Sequence, residues 1–152
     1  MNLELKHLSP YLPYSLKIEH PTMLVGKRKI SELKNLGQTN IEISHRLYVQ
    51  ISNCKPILRP LSDLTKEIEV MGKKFVPIEV LNNMLFTKHS KLEYYDSELC
   101  NGALLFSTNI KGYNILSMNE KVQKILEWHF DIFGLIEKGL AISIHDVEQA
   151  DA

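Results

Sequence analysis

The sequence predicts an α+β fold: a small antiparallel sheet or partial barrel from the N-terminal half, with a long amphipathic C-terminal helix. Three observations predict it. Ile41, Ile43, Leu47, Val49 and Ile51 share one parity while Glu42, Ser44, Arg46, Tyr48 and Gln50 take the other, a period of two carried largely by β-branched residues. Short alternating segments separated by turn residues recur up to Val76. After Ser117 the apolar spacing becomes helical, with Val122, Ile125, Leu126, Ile132, Phe133 and Ile136 on one stripe that Trp128 and Leu135 widen. Strands first and a helix later is the order of an α+β arrangement. A chain of 152 residues is most naturally a single domain, 1–152. Its β-rich part covers about 1–76 and its helical part about 77–144. At that size roughly 70% of the unfolded surface is buried, enough for a core without disulfide or metal staples.

The elements follow in order. Leu3 to Leu8 suits one helical turn, and Pro10 and Pro13 then favour an extended arm. Leu16 and Ile18 alternate with Lys17 and Glu19, a strand. Pro21 marks a turn, Thr22 to Val25 a second strand, and Gly26 another turn. Between Lys29 and Leu36, Ile30, Leu33 and Leu36 recur every third residue, closer to helix than strand. The Ile41–Ile51 alternation is one long strand or a hairpin broken near His45. Glu69 to Val76 reads as a hairpin around Met71-Gly72-Lys73, and Pro77 opens a short helix ending near Met84. Residues 86–117 are polar and predict an irregular excursion with one short helix. Ser117 and Glu120 fit a capping box for the last helix, and Gly139 its left-handed C-terminal cap. Leu140 to Ile144 alternates again as a returning strand, and the tail from His145 is polar and frayed.

Composition limits the partners. Lys+Arg and Asp+Glu both number 18, so no global field steers the chain to nucleic acid or anionic lipid, and any such partner must meet a local patch. Nucleic acid and membrane are accordingly not expected partners. The N-terminus lacks a signal-peptide pattern, and no apolar run approaches the roughly 20 residues of a membrane span. Cys54 and Cys100 are the only cysteines, read as buried small hydrophobes in a reducing cytoplasm.

No GxSxG, P-loop, GxGxxG or HExxH is present, so the reading is non-enzymatic, with no cofactor and no metal. Glu127, His129 and Asp131 lie two apart, and on a helix such positions point about 200° from one another. His129 is read instead as a core or interface histidine with a hydrogen-bond partner. Three basic spots remain. Lys27, Arg28 and Lys29 form "GKRK" at a turn, and Lys73 and Lys74 sit in the second hairpin. The third is "CKPILRPLSDLTKEI", where Lys55 and Arg59 precede Pro56 and Pro60 in step. If Ser62 caps a following helix, the free N–H groups there, with Arg59 and Lys55 upstream, suit an anion. The alternative is a sheet-to-helix joint, stiffened by the prolines and plugged into the core by Ile57, Leu58, Leu61 and Leu64. The joint ranks first and the pocket second.

Four segments, "LSPYLPYSLKI", "KPILRPLSDLTKEI", "GKKFVPIEVL" and "EWHFDIFGLIEKGLAI", together resemble a family of small uncharacterised proteins of Bacteroidetes phages and prophages. They span about a third of the chain, in the same order. The resemblance implies an accessory protein in the host cytoplasm and carries over no catalytic residue. Two functional expectations follow. One is capture of a small anionic ligand, such as a nucleotide immune signal, through Lys55, Arg59, Ser62, Lys27 and Arg28, by a homo-oligomer. The other is a protein–protein module that docks a host or phage partner through Trp128 and Phe130 on the aromatic helix.

Overall fold

The computed structural model describes residues 1–43, 47–84, 90–95, 103–108 and 115–150. In chain order the elements are helix α1 (Leu5–Leu8), a 3-10 helix (Ser9–Tyr14), β1 (Lys17–Pro21), β2 (Arg28–Leu36), β3 (Asn40–Ile43), β4 (Leu47–Gln50), a 3-10 turn (Ile51–Asn53) and β5 (Lys55–Leu58). A third 3-10 helix (Leu61–Thr65), β6 (Ile68–Val70), β7 (Lys73–Phe75), α2 (Pro77–Asn83), β8 (Ser90–Tyr95) and β9 (Ala103–Thr108) follow. The chain closes with α3 (Ile115–Glu127), β10 (Ile142–Ser143) and α4 (Ile144–Ala150). The α+β class therefore holds. The chain divides into two compact units: Met1–Pro60 with Leu126–Ala152, and Leu61–Ile125.

The first unit is built on a six-stranded sheet in the order β10-β5-β1-β2-β3-β4. Its pairs are antiparallel except β10 with β5, which is parallel and sets Ile142 opposite Ile57. The sheet thus takes five strands from the N-terminal half and one from the far end of the chain. Leu16, Ile18, Leu33, Ile41, Ile43 and Leu58 fill its inner face, and Leu3, Leu8, Tyr11 and Leu135 cover them. In β5, Pro56, Ile57 and Leu58 are all buried, as befits a strand lying between two neighbours.

Several expectations are corrected here. Ser9–Tyr14 is a 3-10 helix rather than an extended arm. Pro10 lies in its first turn, where no N–H is needed, and Ser15 ends it in the left-handed region (φ 55°). Thr22–Val25 is no strand; it is the tip of the β1–β2 hairpin. Lys29–Leu36 is strand; Ile30 is exposed and outside the inward set, and the three-residue spacing of Leu33 and Leu36 has a simple origin. Leu33 faces Ile43 and Leu36 faces Ile41, three residues against two, so Lys34 is an extra residue in a bulge. A bulge shifts the alternation by one, and both leucines then point inward. The Ile41–Ile51 stretch is the expected hairpin, β3 against β4, with His45 outside the described residues.

The long C-terminal helix is the largest correction. α3 is already running at Ile115, so Ser117 lies inside it rather than at its cap, and it ends at Glu127. Ile125 and Leu126 are buried as expected, but Val122 is 39% exposed. His129 adopts φ 59°, a left-handed conformation that stops a helix. Asp131 then accepts the N–H groups of Leu135 and Ile136 at 2.9 and 2.8 Å. The single turn that follows closes at Gly139 (φ 69°), with the Leu140 N–H returning to the Leu135 carbonyl at 2.9 Å. Gly139 does take the expected left-handed conformation, but it closes a turn over 135–139 and not the helix, which ended at Glu127. Ile142–Ser143 returns as a strand, and the tail expected to fray is helix α4.

The second unit holds the β6–β7 hairpin, whose Met71-Gly72 turn has positive φ at both positions, 51° and 76°. It also holds α2, opened by Pro77, which lies beside the third 3-10 helix and β8. Within the stretch expected to be irregular, β8 and β9 pair antiparallel. Residues 115–117 of that stretch open α3, and the rest of it, with Cys100 and Tyr113, lies outside the described residues.

Candidate functional site

The sheet gathers cations that are far apart in sequence. β1 is flanked by β2 and β5, so Glu19 stands opposite both Ile30 and Lys55, and Pro21 opposite Arg28. Arg28 and Lys55, 27 positions apart, therefore reach the same end of the sheet. Glu19, Pro21, Arg28, Asn53 and Lys55 line an open depression of about 570 Å³ there. Ser52 also lines it, and with Asn53 belongs to the Ile51–Asn53 turn that directs the chain from β4 into β5.

Arg28 is held in place. Its Nε donates to Glu19 Oε1, and its Nη2 donates to the Asn53 carbonyl at 2.9 Å. These bonds use two of the five N–H donors of a guanidinium, leaving three in a fixed fork. Lys55 is exposed and makes no hydrogen bond or ion pair among the described residues. One glutamate against two cations leaves the depression net positive. Cys54 lies at the edge, its thiol bonded to the Gln50 carbonyl at 3.2 Å. Burial pushes that thiol up to about 11, only partly offset by Arg28, so it is a neutral thiol and a poor nucleophile.

Of the other expected ligands, Lys27 and Arg59 are not among the residues lining this depression, and Ser62 belongs to the second unit. Lys27 is exposed at the hairpin tip, with its backbone closing the turn. Arg59 continues β5 as a one-residue bridge. Its N–H donates to the His129 carbonyl and its carbonyl accepts the Asp131 N–H, both at 2.8 Å, beside Phe130. Ser62 is the second residue of a five-residue 3-10 helix, not its cap. A helix of that length has little dipole to offer an anion at its start.

The aromatic residues expected at an interface are inside. Phe130 is fully buried and Trp128 only 7% exposed. His129 has the hydrogen-bond partner expected of it: Nε2 donates to the Tyr14 carbonyl at 2.6 Å. Among the described residues no three His, Cys, Asp or Glu side chains converge as a metal set, and no helix is long and apolar enough to cross a membrane.

Sequence reasoning missed Glu19 and Asn53, which orient Arg28. Neither carries a local signal; only the β1–β2 and β1–β5 registers bring them together. No family model, curated protein or solved structure matches the chain.

Proposed function

We propose that this protein is a non-enzymatic binding protein that captures a small anionic ligand in the depression between Arg28 and Lys55. A nucleotide signal is the class to test first. The observation that carries the reading is the held guanidinium: Glu19 and Asn53 fix Arg28 beside an unpaired Lys55 in an open, net positive hollow. A fork fixed before the ligand arrives loses little side-chain entropy on binding. The phage-family resemblance adds a setting, a counter-defence protein in the host cytoplasm. The competing idea of a docking module on the aromatic helix has lost its surface, since Trp128 and Phe130 are buried. The homo-oligomer expectation rested on the same residues, and a mass measurement in solution tests it.

The test is calorimetric titration with mono-, di- and cyclic nucleotides and with inorganic phosphate. Wild type should bind at least one of them, and Lys55→Ala with Arg28→Ala should weaken that binding at least about tenfold, the loss expected for charge-assisted contacts. Full affinity in the double variant, or no binding of any anion by wild type, defeats the reading.

A further inference from the structure

The β1–β2 hairpin carries a second surface. Turn tips are ordinarily Gly, Asn, Asp or Ser, yet this one presents Met23, Leu24 and Val25 in succession. Met23 is 97% and Leu24 62% exposed, and Val25 is entirely so. The tip is braced rather than loose. The Thr22 N–H donates to the Lys27 carbonyl at 3.0 Å and the Lys27 N–H to the Leu24 carbonyl at 3.1 Å. The Thr22 hydroxyl reaches the Lys27 carbonyl at 3.1 Å and accepts the Leu24 N–H at 3.3 Å. Gly26, at φ 78°, completes the turn. The backbone is therefore spent on holding three apolar side chains out in water.

The charges behind the tip are of one sign. Lys27 and Lys29 are exposed and have no ion-pair partner among the described residues. The nearby acids are engaged, Glu19 with Arg28 and Glu32 with Lys34. A contiguous exposed apolar patch marks a contact with protein or membrane. Lysine is depleted at protein–protein contacts, whereas an apolar wedge backed by lysines matches an anionic bilayer, with its apolar interior below a layer of negative headgroups.

We propose that the β1–β2 tip docks the protein on an anionic lipid surface, with Met23, Leu24 and Val25 entering the interfacial layer and Lys27 and Lys29 meeting the headgroups. This is the local patch that a chain with equal numbers of acidic and basic residues requires, and it reverses the expectation of no membrane partner. It goes beyond the small-anion site and uses different side chains from Arg28 and Lys55.

The test is co-sedimentation of the full chain with vesicles of phosphatidylcholine alone and of phosphatidylcholine mixed with phosphatidylserine. Binding to the mixed vesicles is expected, weakened by added salt. The triple variant Met23→Ser, Leu24→Ser, Val25→Ser should lose at least about tenfold in partitioning, and Lys27→Glu with Lys29→Glu should lose the preference for phosphatidylserine. These side chains face water, so both variants should keep the wild-type melting temperature. Failure of the wild type to sediment with mixed vesicles overturns the proposal, as does undiminished binding by the triple variant. A wild-type oligomer in light scattering that the triple variant converts to monomer also overturns it, assigning the tip to a contact between copies. Arg28→Ala with Lys55→Ala, scored against free nucleotide, separates failure here from failure of the small-anion reading.

Discussion

Tyr11 is wholly buried, and its hydroxyl donates to the Phe130 carbonyl at 2.6 Å across 119 residues of chain. Burial raises the phenol far above its ordinary value, so it stays a neutral donor. The same segment leans on Asp131, whose two oxygens take the N–H groups of Leu135 and Ile136. The two side chains should differ in cost on removal. The Phe130 carbonyl also accepts the Ile132 N–H at 3.0 Å, so Tyr11→Phe leaves it a partner, and the loss should be about 0.5–1.5 kcal/mol. Asp131→Ala leaves two N–H groups without a side-chain acceptor, one of them buried, at about 1–3 kcal/mol for each that finds no water. Urea denaturation of both variants reads the order directly; a Tyr11→Phe loss equal to or larger than that of Asp131→Ala contradicts it.

At the scale of elements, the β2 bulge makes a sharper prediction. Lys34 is the extra residue, so deleting it should restore plain alternation, with Leu33 and Leu36 still inward opposite Ile43 and Ile41. Only the exposed Lys34–Glu32 pair is lost, and stability should change by no more than about 1 kcal/mol. Deleting Glu42 from β3 instead reverses the facing of Ile41 relative to Ile43, both fully buried, and should prevent folding. If the Lys34 deletion unfolds the chain, the bulge is structurally required. This element also shows why the sequence was only partly legible. Regular alternation in β1 and β3–β4 could be read directly, but a bulge turns period two into period three and imitates a helix. After Glu127 the opposite error arises: apolar residues keep helical spacing while the chain leaves the helix. The available signals were Asp131 and Gly134, the latter at φ 63°, since a glycine inside a helix costs about 1 kcal/mol. The candidate site was legible as residue types, Lys27, Arg28 and Lys55, but not as a grouping. Strand order decides the grouping: β5 follows β4 in the chain but pairs with β1.

Across the whole molecule, buried imidazoles tie stability to pH. His7 and His129 are both held below the ordinary histidine value of 6.5, chiefly by burial. At His7 the neighbouring Lys6 lowers it further, Glu4 partly offsets this, and Lys138 adds a smaller push down. At His129 the bond to the Tyr14 carbonyl pulls upward while Arg59 and Lys17 push down. Geometry agrees at His7, where Nδ1 accepts the Glu4 N–H at 3.0 Å, a bond that protonation destroys. A lowered folded value means that the unfolded chain binds more protons once pH falls toward 6.5. Stability therefore rises with pH: the contribution is complete above about 6.5 and is lost as pH falls through that value toward the folded ones. Exposed Glu4 and Glu32 are also lowered, but from 4.5, so they act in a more acidic window. The melting temperature should accordingly fall between about pH 7.5 and pH 5.5, where the histidines alone of these four groups titrate. His7→Gln keeps an acceptor for the Glu4 N–H, and His129→Asn tolerates the left-handed backbone; together they should flatten the profile in that interval while leaving the decline below about pH 4.5 in place. A wild-type melting temperature that is constant or higher at the acidic end is incompatible with two depressed imidazoles. A slope that survives in the double variant assigns the effect to other groups.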